Sequence, residues 1–407
     1  MPYQAGLLTI GNELLKGSVL NTNAAFLGQE LTQAGFMVLE QIACRDEIPE
    51  ITARFGEILS RCDLVIVSGG LGPTPDDVTR EGIAAYFHVP LVFSSSQYRL
   101  IRGYYRRRGR SIPAIVRREA MFPANAAPLL NRFGIALGFT IQWQDKLVVV
   151  LPGVPSELEK MFRDNVKPLI RKCFRKLSNR PGLVARMVGV SEPEVMRRLR
   201  ADFFEDPFEF GIYPDLGEIT LRLQADKAAV IQRLKTKIRK RLQPWLYAME
   251  DISLSETIGR ALAAKRQSLA VAESCTGGRL ASEITRVPGS SRYFFGGAVA
   301  YDNALKQSLA GVSPATLKKS GAVSPETALE LARGIRRITG ASYGIGITGV
   351  AGPEGGTQQK PVGLVYLALV SHKRARVWKE NFWGDRFQVQ AKAVTKILEY
   401  LWRDLKK

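Results

Sequence analysis

Histidine is almost missing from this sequence: His88 and His372 are the only two, and neither lies in a glycine-rich or polar cluster. Imidazole chemistry is thereby set aside, and any general base has to be lysine, aspartate, glutamate or tyrosine. The four cysteines, Cys44, Cys62, Cys173 and Cys275, form no C-x-x-C pair and have no histidine beside them, which argues against a zinc site and a disulfide framework. They read as reduced thiols. No apolar run approaches the ~20 residues that a membrane-spanning helix needs, so no membrane partner is expected. The opening MPYQAGLLTIGNELL has no basic segment followed by an apolar one, and without a secretory signal a cytoplasmic location is expected. Acids are also short, 38 Asp and Glu against 58 Lys and Arg, which gives a formal net charge of +20. The stretches Arg99 to Arg118 and Lys227 to Arg241 contain no acid at all. Such clusters can bind a nucleic-acid backbone by releasing counterions. Both also fit helical spacing with one solvated basic face, which is the plainer reading.

What is present is alternation. A chain of 407 residues exceeds one ordinary core and predicts two or three domains. Residues 1–173 read as an α/β domain: the strand AGLLTIG, a helix over Asn21 to Gln33, and the fully apolar LVIV that suits a buried parallel strand. Residues 174–250 change to charged helical segments with one clear strand, GEITLRLQA, and read as a small α+β connector. No G-x-x-G loop lies in this connector, which counts against nucleic acid as its partner. Residues 251–407 resume the α/β pattern with LAVAE, GAVAY, YGIGIT and VGLVYLALV.

Two constellations carry chemistry. In the first domain, SGGLGPTPDDVTRE follows LVIV. Gly69, Gly70 and Gly72 let backbone amides approach an anion, and Asp76 and Asp77 stand before the next helix. The reading is phosphate with a carboxylate-held metal, against Asp76 acting only as a helix cap. In the last domain, AESCTGG ends a strand and begins a helix, so Ser274 and Cys275 lie on a tight turn with Thr276, Gly277 and Gly278 beside helix-opening amides. VAYDNALK delivers Tyr301, Asn303 and Lys306 at the end of the next strand. A desolvated lysine can take the proton of a serine hydroxyl, so Lys306 is the candidate base for Ser274, with Cys275 as the rival nucleophile. GITGVAGPEGG places Thr348, Gly349 and Gly352 in a third strand-end loop. Three such loops are expected to converge on the carboxyl edge of one sheet, with the Ser274 hydroxyl and the Lys306 ammonium sharing a hydrogen bond. Each element alone has a plainer counterpart: a serine cap, a surface lysine, a glycine-rich connection.

GGLGPTPDDVT, with GNELLKG and NTN at Asn21 to Asn23, resembles the molybdopterin-binding domain of the MoaB and MogA proteins and, more closely, the CinA family. The resemblance implies hydrolysis of the ADP-ribose pyrophosphate with a divalent cation, carried onto Asp77 and, in CRDEIPE, Asp46. Asn12, Val116, Ile135 and Leu137 depart from the family's usual I-G-T-E-L, N-x-R-Q-A and G-T-A-P-G runs, the last three with apolar residues. A non-catalytic scaffold is therefore the alternative for this domain. From Leu254 to Leu401 the three loops, with VPGSSRYFFGG, KPVGLVY and GDR, resemble the CinA C-terminal domain, which implies deamidation of nicotinamide mononucleotide without a cofactor. Carried over, Ser274 is the nucleophile, Lys306 the base, Tyr301 an assisting hydroxyl, Thr348 a site hydroxyl and Arg386 a cation for the substrate phosphate. LGEITLRL resembles the KH-like connector of full-length CinA proteins, although GVSEPEV departs from the usual turn. A homodimer is also implied. A nucleic-acid-binding competence accessory is the remaining alternative.

Overall fold

Short apolar runs bounded by glycine or polar turns become the buried strands of this chain, and amphipathic segments become the helices that cover them. The computed structural model describes residues 3–175, 177 and 180–406, and its contacts divide it into two units, Met1–Arg180 and Pro181–Lys407.

The first unit has strands β1 (Gln4–Ile10), β2 (Met37–Cys44), β3 (Leu64–Ser68), β4 (Leu91–Phe93), β5 (Met121–Pro123), β6 (Ala127–Leu129), β7 (Gly138–Trp143) and β8 (Lys146–Leu151). Six of them form one sheet in the order β2-β1-β3-β8-β7-β6, and β4 pairs with β5 separately. The β2-β1-β3-β8 part is parallel. Helices α1 (Asn12–Leu15), α2 (Thr22–Ala34), α3 (Ile48–Arg61), α4 (Thr79–Tyr86), α5 (Ser95–Arg107), α6 (Pro155–Met161) and α7 (Lys167–Cys173) connect the strands. The two-residue period of the strands sorts the core into two layers. Leu8, Val65 and Val67 meet Ile51, Phe55 and Ile58 of α3, while Leu7, Leu64 and Ile66 meet Leu27 and Leu31 of α2. Each fully buried side chain of this size contributes roughly 1.5–3 kcal/mol.

The basic stretch Arg99–Arg118 is not one helix. Helix α5 stops at Arg107, Gly109 takes a left-handed conformation at φ +62, and a separate 3-10 turn spans Ala114–Ala120 after Pro113. Its apolar side is buried, with Ile101 packed against Val116 and Ala120.

The second unit contains two sheets. The first is antiparallel, with strands β9 (Gly182–Val188), β10 (Glu209–Asp215), β11 (Glu218–Gln224) and β12 (Leu246–Ala248) in the order β10-β11-β9-β12. It carries helices α8 (Glu192–Leu199) and α9 (Ala228–Leu242). Of these strands only β11 is marked by apolar alternation in the sequence. Strand β10 lies at the sheet edge with little of it buried, so no apolar alternation marks it. The basic helix α9 buries Val230, Ile231, Leu234, Ile238 and Leu242, and on its outer side Arg233 and Arg241 pair with Asp206 and Asp202.

The rest of the unit comprises α10 (Leu254–Ala264), β13 (Leu269–Glu273), α11 (Arg279–Thr285), β14 (Phe294–Val299), α12 (Asn303–Ala310), α13 (Pro314–Ser320), α14 (Pro325–Thr339), β15 (Tyr343–Gly349), β16 (Leu364–Ser371), β17 (Ala375–Asn381) and α15 (Arg386–Leu405). The sheet order is β14-β13-β15-β16-β17. Strand β13 is parallel to both neighbours, β14 and β15. Helices α10 and α15 pack on one face through Leu254, Ile258, Leu262, Ile397 and Leu401. Helix α14 lies against Gly346 of β15 so closely that an added Cβ would stand 2.2 Å from the Ala328 carbonyl oxygen. Among the described residues no helix is long and apolar enough to cross a membrane.

Candidate active site

Because β13, β14 and β15 run the same way, the residue that leaves each strand emerges at one edge, with neighbouring strands about 4.8 Å apart. Two backbone hydrogen bonds fix the register there: Ser274 N donates to Ile347 O at 3.0 Å, and Ala300 N donates to Glu273 O at 2.7 Å. Ser274 therefore stands between the ends of β14 and β15, beside the Ala300–Tyr301 pair and Thr348. Ser274, Cys275, Thr276, Lys306 and Thr348 are all buried.

Lys306 lies in α12 and is 2% exposed. Its Nζ donates to the Tyr301 carbonyl at 2.7 Å, so the expected hydrogen bond to the Ser274 hydroxyl is replaced by one to backbone; a desolvated ammonium takes the nearest carbonyl. Burial lowers the Lys306 pKa below the ordinary lysine value, against the opposing pull of Asp302 and Cys275. The Tyr301 hydroxyl accepts from Arg386 Nη2 at 2.8 Å, and Arg386 Nη1 donates to the Gly352 carbonyl at 2.7 Å. Lys306, Tyr301, Arg386 and Gly352 thus form one chain of contacts along this edge. Thr348 Oγ1 donates to Ala322 O at 2.6 Å. Gly349 closes β15. Asn303 opens α12 but is exposed, and among the described residues its side chain is not joined to the others.

The turn after Ser274 differs from expectation. The buried Glu273 carboxylate accepts from the amides of Gly278, Leu280 and Ala281, at 3.1, 3.1 and 2.8 Å. Helix-opening amides assigned from sequence to an oxyanion are therefore already occupied. Gly277 N donates to Ser274 O and Arg279 N to Thr276 O, and the Cys275 amide faces its own thiol, which leaves the Thr276 amide as the open donor of this turn among the described residues. Gly277 and Gly278 take φ +61 and +93, a region that favours glycine. Burial pushes the Cys275 thiol up to about 12 and Glu273 adds to the rise, while its own backbone amide, Arg386 and Lys306 act against it. Its carbonyl accepts from Gln390 Nε2 of α15 at 2.8 Å.

In the first unit a cavity of about 520 Å³ is lined by Asp46, Gly69, Gly70, Gly72, Asp76 and Asp77 together. Gly69 adopts φ +104, and a Cβ there would come within 2.1 Å of the Ile10 carbonyl oxygen. Asn23 of the NTN run holds the strand ends in place by donating to Ser68 Oγ and the Gly153 carbonyl at 3.0 and 2.7 Å. Asp76 does not cap α4, whose N-cap is Val78. Asp77 accepts from Thr74 N at 2.9 Å and from its hydroxyl, and Asp46 accepts from Asn12 N at 2.8 Å. Burial raises the Asp46 pKa; the Asn12 contact opposes this, and Glu13, Asp76 and Asp77 add to it. Among the described residues no three His, Cys, Asp or Glu side chains are grouped to hold a metal ion. Of the departures from the family runs, Val116 packs into the core and Ile135 lines the cavity.

Sequence reasoning passed over Glu119, which lines this cavity while fully buried. Neither of its carboxylate oxygens has a hydrogen-bond partner. Burial pushes its pKa up to about 7; Arg80 opposes the rise, and Asp77 and Glu157 add to it. Arg80 is equally buried, with Nη2 donating to the Leu71 and Gly72 carbonyls and with Nε and Nη1 unpartnered.

The profile of the CinA C-terminal domain matches residues 251–405, and that of a probable molybdopterin binding domain matches residues 6–172. A protein of Moorella thermoacetica named for competence-damage induction is 38% identical over 99% of both chains. The chain belongs to the CinA family. A CinA-like protein of Kosmotoga olearia is 36% identical over 99% of both chains. The solved CinA structure from Thermoplasma acidophilum, with unknown function, is 37% identical, covers 41% of this chain and 98% of its own, and has a TM-score of 0.39. The serine turn and the Tyr301–Lys306 segment both fall inside the matched CinA C-terminal domain, and the Gly69–Gly72 loop falls inside the molybdopterin-binding match.

Proposed function

We propose that the C-terminal domain is an amidohydrolase that converts nicotinamide mononucleotide to nicotinate mononucleotide and ammonia. The observation that carries this reading is Ser274 held between the ends of β14 and β15, at the edge that also holds a buried lysine of lowered pKa. Ser274 Oγ attacks the carboxamide carbon while neutral Lys306 takes its proton. The Thr276 amide receives the charge that develops on the carbonyl oxygen. Collapse of the adduct breaks the C–N bond, and Lys306 returns the proton to the leaving ammonia. Water then attacks the acyl-serine, Lys306 again moving the proton, and releases the acid and the free hydroxyl. Arg386, anchored through Tyr301 and Gly352, is the group suited to a monophosphate because a guanidinium binds phosphate through two parallel hydrogen bonds. A thiol pushed up to about 12 does not favour Cys275 as the nucleophile. Mass spectrometry of nicotinamide mononucleotide incubated with the full chain tests the reading; the amide remaining intact rejects it.

The N-terminal cavity supports a second reading, hydrolysis of the ADP-ribose pyrophosphate. Asp46 and Asp77 each keep one carboxylate oxygen outside the contacts described above, a set too small to enclose an ion yet suited to a cation shared with substrate phosphates. A divalent cation bound there would neutralise phosphoryl charge. The amide of Gly69 is taken by the Leu151 carbonyl, so the amides from Gly70 to Gly72 are the ones suited to the phosphates. Release of AMP from ADP-ribose at millimolar magnesium tests this, and no release leaves the domain a scaffold. The cytoplasmic homodimer implied by family resemblance is tested by sedimentation. Nucleic-acid binding is tested by gel shift at physiological salt.

A further inference from the structure

We infer that Glu119 is a ligand-binding residue of the N-terminal cavity, donating a hydrogen bond from its carboxylic acid to a carbonyl or phosphoryl oxygen of the bound nucleotide. This rests on the nucleotide reading of that cavity given above. A buried polar group without a partner costs roughly 1–3 kcal/mol, and buried carboxyls elsewhere in this chain avoid that cost. Glu399 receives Lys396 Nζ and Arg403 Nε at 3.0 and 2.8 Å, and Glu273 receives three amides. Glu119 receives nothing, although it is fully buried and borders a cavity. A carboxyl with only a structural role would be satisfied by the protein, as these two are.

The surroundings say which form faces the cavity. The charged groups around Glu119 are Arg80 of α4, Asp77 before α4, and Glu157 of α6. Arg80 makes no ion pair among the described residues and turns Nη2 to the Leu71 and Gly72 carbonyls. Burial, against the pull of Arg80 and with Asp77 and Glu157 adding to it, favours the neutral acid and pushes the pKa up to about 7. A neutral carboxyl carries one O–H donor. Ile135 and Ala136, which also line this cavity, have no side-chain donor, so a protonated Glu119 adds a donor that they lack.

The test is calorimetric titration of the full chain with the uncleavable α,β-methylene analogue of ADP-ribose and magnesium, at pH 6 and pH 8.5. Wild-type affinity is expected to fall about tenfold across this interval as the donor is lost and a negative charge replaces it. Glu119→Gln, whose amide still donates, should match the wild type at pH 6 within about threefold and keep its affinity at pH 8.5. Glu119→Leu should bind about tenfold more weakly at both. Thermal melts of each variant establish that it is folded. Wild-type affinity that is the same at both pH values, or Gln and Leu variants that weaken equally at pH 6, overturns the inference while leaving the nucleotide reading intact. Wild-type protein that does not bind the analogue at either pH overturns both.

Discussion

The Ser274 edge and the Asp77 cavity are built by the same device, a glycine-containing turn after a buried parallel strand, and they differ in what their ionisable groups touch. At the Ser274 edge the groups are engaged. Lys306 holds the Tyr301 carbonyl, Arg386 holds Tyr301 and Gly352, and Glu273 holds three amides. At the cavity, Glu119 is unengaged, as are two nitrogens of Arg80, the charge that acts on it. The first arrangement orients groups before any ligand arrives, which suits attack on a neutral amide. The second has contacts still to make, which suits a polyanionic ligand that brings its own acceptors.

The comparison breaks at once if the engaged edge does no chemistry. Ser274→Ala should lower ammonia release from nicotinamide mononucleotide by a thousandfold or more, roughly the scale on which loss of a nucleophile acts, with unchanged circular dichroism. Lys306→Met, which keeps the stem and removes the amine, should lower turnover about a hundredfold or more. In the wild type the rate should rise with pH as Lys306 loses its proton, below the ordinary lysine value, and the methionine variant should lack that rise; a shared pH profile would count against lysine as the base.

The unengaged cavity is sharpened by stability measurements without ligand. Glu119 is raised in the native protein from its ordinary 4.5 to about 7. Between these values the native carboxyl keeps a proton that the unfolded one has lost, so its contribution is full below 4.5 and lost as pH climbs through 7. Relative to Glu119→Gln, the wild type should lose up to about 3 kcal/mol across that window and nothing further above it, read from urea melts. The smallest effect is expected of Cys275→Ala, which should leave turnover within about threefold because a thiol raised to about 12 supplies little thiolate at neutral pH.

Sequence alone disclosed the parallel strands and the serine turn because they are written locally. LVIV and LAVAE are apolar throughout, and the glycines that follow mark where each chain must turn. Parallel pairing of β13 with both neighbours then brings Ser274, Tyr301, Thr348 and Lys306 together, as three strand-end loops in one sheet should. The direction of the Lys306 ammonium was not legible, because a side chain of that length can reach several acceptors and the carbonyl it chooses depends on how α12 docks. Strand β10 left no mark because an exposed edge needs no apolar alternation. Glu119 sits in the run VRREA, directly after the acid-free basic stretch Arg99 to Arg118 that suggests a solvated helix face. Its burial follows from Pro113 and the 3-10 turn folding that run inward beneath the cavity, a tertiary outcome with no local period.

The Arg386 contact with the Tyr301 hydroxyl acts as a latch across this edge. A phosphate arriving at Arg386 would compete with that phenol for the same guanidinium and release the ring, so seating one end of a nucleotide would loosen the residue next to the reacting end. Nicotinamide riboside, which has no phosphate, would leave the latch shut. On this hypothesis the riboside should lose turnover number as well as affinity relative to the mononucleotide, and Tyr301→Phe should narrow the gap; equal turnover numbers for the two substrates would show that the latch has no part in the reaction.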